Sequence, residues 1–160
     1  MKFALCFFAC LSFTSSVYAA DPLRCTDGSE ARAAVMDYLS AMHNNHFTQA
    51  YDYVSSNMTD GRSREQWSEL QAKAYPPGKV QIYGVDVRSA LAADGDAACT
   101  KAAIVPNVLS SKDKLNEHGL VEFEIYTVKL VGDRRAIDEQ RTLFEEAEVD
   151  MWFPSARSTQ

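Results

Sequence analysis

The spacing of apolar residues divides the chain into a helical first half and a strand-rich second half. Between residues 31 and 74, apolar side chains recur at intervals of three and four, the spacing that places them on one face of an α-helix. After Gly78 the interval falls to two, the spacing of a strand with alternating faces. The order of elements therefore predicts an α+β fold.

Three helices are predicted from the periodic segments and their capping residues. The first follows the capping pair Asp27 and Glu30. Its apolar face is formed by Ala31, Val35, Tyr38, Leu39 and Met42. A short second helix begins at Phe47, and a third follows the capping box that starts at Ser63. Residues 76–78 (PPG) end the third helix, because proline and glycine both interrupt helices.

At least four antiparallel strands are predicted after Gly78. They span residues 80–87, 97–105, 120–131 and 134–138, and a polar loop is predicted over 107–119. Residues 139–153 fit both periods, so that a helix and a strand remain alternatives there.

The apolar phase changes inside segment 120–131. Its apolar positions are Val121, Phe123 and Ile125 and then, after a shift of one residue, Tyr126, Val128 and Leu130. Because side chains on a strand alternate between faces, this shift predicts a β-bulge or a bend. Glu122 and Glu124, which lie between the first apolar positions, are predicted on the solvated face of the sheet.

The first twenty residues have the order of a secretory signal peptide. Lys2 precedes an apolar run over 3–13, and the small residues Ala19 and Ala20 follow. The run is too short to span a bilayer, which needs about 20 apolar residues. A lipoprotein beginning at Cys10 is a weaker alternative, because the residues before it make a poor lipobox. Cleavage after Ala19 or Ala20 would release a periplasmic or secreted protein.

Cleavage would leave one domain over residues 21–153 and a frayed tail over 154–160. The formal net charge is -6, and it becomes -7 when Lys2 leaves, with 15 basic residues against 22 acidic ones. No cluster of lysine and arginine is present. This charge excludes the phosphate attraction that dominates nucleic-acid binding, and it argues against an anionic membrane surface as partner.

Two of the four cysteines would remain in the mature chain. Cys6 and Cys10 leave with the leader, whereas Cys25 and Cys99 stay. Two cysteines in an oxidising compartment predict a disulfide, with a pair of buried free thiols as the alternative. Neither lies in a recognisable nucleophile motif.

Three short segments resemble those of one fold family. Residues 38–42 (YLSAM) are similar to the end of that family's first helix, and 46–51 (HFTQAY) to its Asp-Phe-x-x-Ala-Tyr segment. Residues 131–138 (VGDRRAID) are similar to its late hairpin, usually Gly-x-Trp-x-Ile-Asp. His46 replaces the usual acidic residue, and Ala136 replaces the tryptophan. The chain thus resembles the nuclear transport factor 2-like (cystatin-like) superfamily, especially its small secreted bacterial members.

The resemblance covers residues 31–138 and implies a cone-shaped α+β roll. In that fold three N-terminal helices pack in a bent antiparallel sheet that curls around them and leaves an open mouth. Enzymes of the family, such as ketosteroid isomerase and polyketide cyclases, use an aspartate base and a tyrosine or acid as oxyanion donor inside the cone. Other members bind partners at the mouth or on the sheet face, so that fold alone does not fix function.

Candidate acid–base residues are Asp37, Asp86, Tyr38, Tyr83 and Tyr126. A carboxylate buried near an apolar cone would have a raised pKa and could act as a base. Asp37 lies off the apolar face of the first helix, which favours a solvated position.

His43 and His46 are three residues apart, a spacing that could share a metal ion on one helical face. The intervening Asn44 and Asn45 favour instead an exposed turn between two helices. No further ligand lies nearby in sequence, and we expect no cofactor.

The leading functional hypothesis is an exported, non-enzymatic binding or accessory domain. Its partner would be a protein, as for an immunity-type inhibitor, or a small apolar ligand. An isomerase or cyclase of the ketosteroid-isomerase type is one alternative. A structural subunit that forms homodimers through its sheet face is another.

Overall fold

The computed structural model describes residues 23–75, 80–93, 95–113 and 116–153. The predicted signal peptide (1–20), the predicted tail (154–160) and the helix-ending segment 76–78 lie outside these residues. No helix within the described part of the chain is both long and apolar enough to cross a membrane.

Three N-terminal helices are confirmed, and a fourth lies near the C-terminus. The α-helices are α1 (Ser29–His43), α2 (Phe47–Ala50), α3 (Arg64–Ala74) and α4 (Glu146–Trp152). A single-turn 3-10 helix, Tyr51–Tyr53, follows α2 directly.

The capping prediction is correct for α3 and wrong for α1. Ser63 and Gln66 form the reciprocal hydrogen bonds of a capping box at α3. At α1 the N-cap is Gly28, and no side chain caps the helix. Asp27 accepts instead from the hydroxyl of Ser29. A Cβ atom at position 28 would collide with the side chain of Ala90, so this position requires glycine.

The strands form one antiparallel sheet. They are β1 (Val80–Val87), β2 (Leu91–Ala92), β3 (Ala102–Asp113), β4 (Leu120–Val131) and β5 (Arg134–Leu143). The order is β1-β3-β4-β5, and β2 pairs with β3 beyond the end of β1. Residues 139–153 satisfy both predicted alternatives, because β5 continues to Leu143 and α4 follows it.

Strand β3 is displaced from its predicted position. It begins at Ala102 because Asp96 accepts hydrogen bonds from Thr100 and from the backbone N–H of Lys101, which hold the preceding residues in a turn. It then runs on through most of the predicted polar loop to Asp113. Pairing with β1 on one side and β4 on the other satisfies the backbone of this polar stretch.

Both faces of the sheet are covered, and this explains the apolar phase of β4. Tyr126 and Val128 belong to the main core, under α1 and α2. Ile125 belongs to a smaller core under α4, where the rings of Phe123 and Phe153 lie 5.0 Å apart. The apolar residues Phe123 and Ile125 therefore face α4, whereas Tyr126 and Val128 face the main core.

The β-bulge predicted inside β4 lies instead on the neighbouring strand β5, two residues beyond the phase change. Thr127 pairs with Glu139 and Val128 with Ile137, which leaves Asp138 of β5 unopposed. The Lys129 ammonium, 2.6 Å away, and a hydrogen bond from Ser55 lower the pKa of Asp138. The bulge thus fixes the segment after the 3-10 helix against the sheet.

The predicted disulfide between Cys25 and Cys99 is confirmed, with the two Cα atoms 5.6 Å apart. Cys99 lies in the turn before β3 and not on a strand, because its left-handed backbone (φ 53°) does not fit one. Backbone hydrogen bonds from Cys25 to Ala90 and from Thr26 to Ala97 flank the bridge. Together they hold the segment before α1 against the sheet. The α+β fold class, with three N-terminal helices on an antiparallel sheet, is likewise confirmed, although the sheet is uncurled rather than bent around the helices.

We expect loss of the disulfide to lower the free energy of unfolding by about 4 kcal/mol, because the bridge closes a long loop in the unfolded chain. Its two cysteines are 74 residues apart. Urea unfolding of the Cys25→Ala/Cys99→Ala double variant beside the oxidised wild type measures the difference. Wild type treated with a reductant is the control and should match the variant; equal stability of the oxidised and reduced proteins would contradict the prediction.

Candidate functional site

A buried carboxylate lies in the middle of the sheet, on the side that faces the helices. Glu124 of β4 is only 4% exposed. Its Oε2 atom accepts hydrogen bonds from Asn107 Nδ2 at 2.8 Å and from the Tyr126 hydroxyl at 2.9 Å. Its Oε1 atom accepts one from Gln140 Nε2 at 2.8 Å. We call Asn107, Glu124, Tyr126 and Gln140 the carboxylate cluster.

The prediction that Glu124 lies on the solvated face is wrong. The apolar residues that alternate with it, Phe123 and Ile125, pack toward α4, so their side of β4 is the smaller core. Glu124 shares the opposite side with Tyr126, which belongs to the main core. Donors from three adjacent strands make this position tolerable for a carboxylate, since a buried charge is costly unless hydrogen-bonded.

Tyrosine side chains surround the cluster. The Tyr38 ring of α1 meets the Tyr126 ring edge-on at a centroid distance of 6.3 Å. Burial raises the pKa of both phenols, and the negative charge of Glu124 adds to this. Tyr75, just after α3, is partly exposed, and burial and then the charge of Glu124 raise its pKa too. These phenols therefore remain protonated near neutral pH.

One acceptor in the cluster has no donor. Asn107 is fully buried, and its Oδ1 atom has no hydrogen-bond partner within the described part of the chain, although its Nδ2 atom is bonded to Glu124. Buried polar atoms are nearly always paired, so an orphaned one calls for an explanation.

A groove of about 490 Å³ lies between α1 and β1. We call it the α1–β1 groove. Its apolar lining includes Met36, Leu39, Val85 and Val87. Arg32, at one end of the helical wall, donates from Nε to the backbone carbonyl of Val87 at 3.0 Å. The groove therefore combines apolar walls with a polar end, as ligand and peptide sites commonly do.

The candidate acid–base residues lie in three places: at the carboxylate cluster, in the α1–β1 groove and on the exposed face of α1. Tyr38 and Tyr126 lie at the carboxylate cluster, whereas Tyr83 and Asp86 line the groove. Asp86 is exposed and forms an ion pair with Arg88 at 2.8 Å. Asp37 is exposed on α1, outside both places, as expected for a position off the apolar face. The structure thus does not bring the two aspartates together.

The two candidate metal ligands also lie apart. His43 ends α1 and lines the α1–β1 groove, whereas His46 precedes α2 and lines a separate cleft beside α3. Asn44 and Asn45 form the turn between them. Among the residues that the structure describes, no three His, Cys, Asp or Glu side chains are grouped so that they could hold a metal ion.

Sequence reasoning missed Asn107, Glu124 and Gln140. Their contacts join three strands, and register between strands cannot be read from one sequence. The only local signal is the spacing of Glu124 and Tyr126, which places a carboxylate and a phenol on the same face of a strand.

No family model matches the chain, and no curated protein matches it. Among solved structures, it is similar to a ketosteroid isomerase-like protein from Erwinia carotovora atroseptica. The TM-score is 0.50 at 10% identity, over 75% of this chain and 98% of that one. This likeness shows that the chain has the nuclear transport factor 2-like fold that its sequence predicted.

Two further solved structures are similar to the chain. Bd1075 of Bdellovibrio bacteriovorus matches with a TM-score of 0.49 and 10% identity, over 72% of this chain and 40% of that one. The intermembrane space region of the chloroplast protein ARC6 matches with a TM-score of 0.47 and 14% identity, over 75% of this chain and 98% of that one.

We expect Tyr126→Phe to lower the free energy of unfolding by about 1–3 kcal/mol, because the buried carboxylate of Glu124 would lose one of its hydrogen-bond donors. Urea unfolding measures the change. Tyr83→Phe is the control: the Tyr83 side chain is 60% exposed, and its variant should change stability by less than about 0.5 kcal/mol. Equal effects of the two substitutions would contradict the structural role of the Tyr126 hydroxyl.

Proposed function

We propose that the protein is a non-enzymatic binding domain that works outside the cytoplasm and takes an extended segment of a protein partner into the α1–β1 groove. The α1–β1 groove itself is the observation that carries this proposal. Met36, Tyr83 and Val85 line it and are all substantially exposed, although they are large and apolar. Contiguous exposed apolar surface is typical of interaction sites.

The edge of the sheet supports a polypeptide as the partner. Among the described strands, β1 pairs only with β3, so its other edge has backbone groups available for hydrogen bonding. Such an edge accepts an added strand from a partner, while neighbouring pockets take alternate side chains. The α1–β1 groove lies beside this edge and would supply those pockets.

No described feature favours the isomerase alternative over binding. An isomerase of this fold needs a carboxylate and a second polar donor that both face an apolar cavity. Here the buried carboxylate and its neighbouring polar donor are bonded to each other, because the hydroxyl of Tyr126 donates to Glu124. Asp37 and Asp86, the carboxylates that the sequence offers for this role, are exposed. The α1–β1 groove holds Asp86 in an ion pair with Arg88 and has apolar walls that suit binding.

Export is supported by the disulfide and by the leader pattern. Disulfides persist in the periplasm and outside the cell, where thiols are oxidised. The bridge between Cys25 and Cys99 is compatible with such a compartment.

We expect N-terminal sequencing of protein recovered from the periplasm or medium to begin at Ala20 or Asp21, because signal peptidase cleaves after small residues. The same analysis of the cytoplasmic fraction is the control. Recovery of the full-length chain, starting at Met1, from the cytoplasm alone would contradict export.

We expect Val85→Arg to abolish partner binding without affecting folding, because it places a charge in the apolar wall of the α1–β1 groove. Val131→Arg is the matched control: the two valines are 45% and 44% exposed on strands of the same sheet. Partners captured from an extract of the producing cells are identified by mass spectrometry, and the affinity of each purified partner is then measured for the three proteins. Melting temperatures verify folding.

A second matched pair repeats the test from the helical wall. Met36 lines the α1–β1 groove, whereas Leu70 of α3 does not, and the two are similarly exposed. Loss of affinity on Met36→Arg but not on Leu70→Arg would support the proposal. A partner that binds Val85→Arg as tightly as wild type would contradict it, as would a lipid or other small apolar molecule retained in place of a protein. Homodimers disrupted by Val131→Arg would favour the structural-subunit alternative.

A further inference from the structure

The carboxylate cluster holds negative charge that no described cation balances. The three donors to Glu124 are neutral, and none of the ion pairs among the described residues includes it. Glu122 is two positions away on β4 and therefore shares its face. Burial and then the charge of Glu124 raise the pKa of Glu122. Buried charges are usually paired, and none of the ion pairs among the described residues includes Glu122 or Glu124.

Aromatic rings stand beside this charge. Tyr38 and Tyr126 are buried at the cluster, and burial and then the charges of Glu124 and Glu122 raise the pKa of Tyr75. The Phe47 ring packs against Tyr75 at a centroid distance of 6.4 Å. Aromatic faces attract cations. Elsewhere in this protein, the Arg64 guanidinium lies over the Tyr51 ring, 5.1 Å from its centroid.

Two acceptor atoms of the cluster have hydrogen-bonding capacity left, in addition to the second N–H of the Asn107 and Gln140 amides. Asn107 Oδ1 is buried, and no described residue donates to it. Each carboxylate oxygen can accept two hydrogen bonds, and Glu124 Oε1 accepts only the one from Gln140 among the described residues. A ligand that satisfies these atoms must bring N–H or O–H donors.

We propose that the carboxylate cluster, together with Glu122 and Tyr75, binds the ammonium group of a small primary amine. The ammonium donates to Asn107 Oδ1 and Glu124 Oε1, and its charge balances the two glutamates. Tyr75 and Gln140 are exposed and mark the side from which the amine enters, with its alkyl chain along the Tyr75 ring. The site shares no lining residue with the α1–β1 groove, so it is independent of the proposed partner binding.

Isothermal titration calorimetry at neutral pH with n-butylammonium as probe tests this inference. We expect saturable binding of n-butylammonium and none of n-butanol, which has the same chain without the charge. Tetramethylammonium carries the charge without N–H donors and should bind at least about tenfold more weakly, since hydrogen bonds to charged groups are strong.

Substitutions locate the probe. Glu124→Gln keeps the shape of the side chain but removes its charge, and we expect affinity for n-butylammonium to fall at least about tenfold. Glu139→Gln, on the exposed part of β5, is the matched control and should bind as wild type does. Tyr75→Leu removes a partly exposed ring, so it should keep the fold and weaken binding measurably. Melting temperatures identify any variant that does not fold.

Three results would overturn the inference. The first is the absence of saturable n-butylammonium binding to the wild type, and the second is binding of n-butanol with equal affinity. The third is unchanged affinity in Glu124→Gln, or in Tyr75→Leu if the first variant does not fold. Loss of n-butylammonium binding in these variants, with capture of the protein partner retained, would separate this site from the α1–β1 groove.

Discussion

The buried carboxylate of Glu124 sets the conditions that the centre of the sheet has to meet. An ionised group held away from water needs donors around it, and here β3 supplies Asn107, β4 supplies Tyr126 and β5 supplies Gln140. A shift of one residue in the register of β4 would turn Glu124 toward the opposite face and leave these donors unpaired. The hydrogen bonds therefore fix the register of three strands, and with it the surface on which the helices pack.

Two other contacts hold the helices on that surface. The Cys25–Cys99 bridge fixes the segment before α1 beside the start of β3. At the other end of the helical layer, Asp138 in the bulge accepts from Ser55, just after the 3-10 helix, and pairs with Lys129. The α1–β1 groove lies outside these fixed points, between α1 and a strand that pairs on one side among the described strands. Three of its lining residues, Met36, Tyr83 and Val85, are exposed.

Local pattern was sufficient for the parts of the fold that depend on neighbours in sequence. The period of the helices and the capping box at Ser63 were predicted correctly from local pattern, whereas the cysteine pair, 74 residues apart, followed from the number of cysteines left after cleavage. Long-range pairing decided the rest: β3 extends through a polar stretch because two strands flank it. The prediction for Glu124 was wrong because α4 covers the face of the sheet opposite the three N-terminal helices. When both faces are covered, an alternating pattern does not tell which face holds the charged residue. The α1–β1 groove depends on how α1 and β1 are placed, which no short motif encodes.

Carboxyl footprinting measures most directly whether Glu124 is buried and held by its donors. The native protein is treated with a water-soluble carbodiimide and glycine ethyl ester, and the labelled residues are identified by mass spectrometry. We expect rapid labelling of the exposed Glu139 and much slower labelling of Glu124, which is 4% exposed and hydrogen-bonded through both oxygens. Labelling of Glu124 in the native protein at the rate of Glu139 would contradict this expectation.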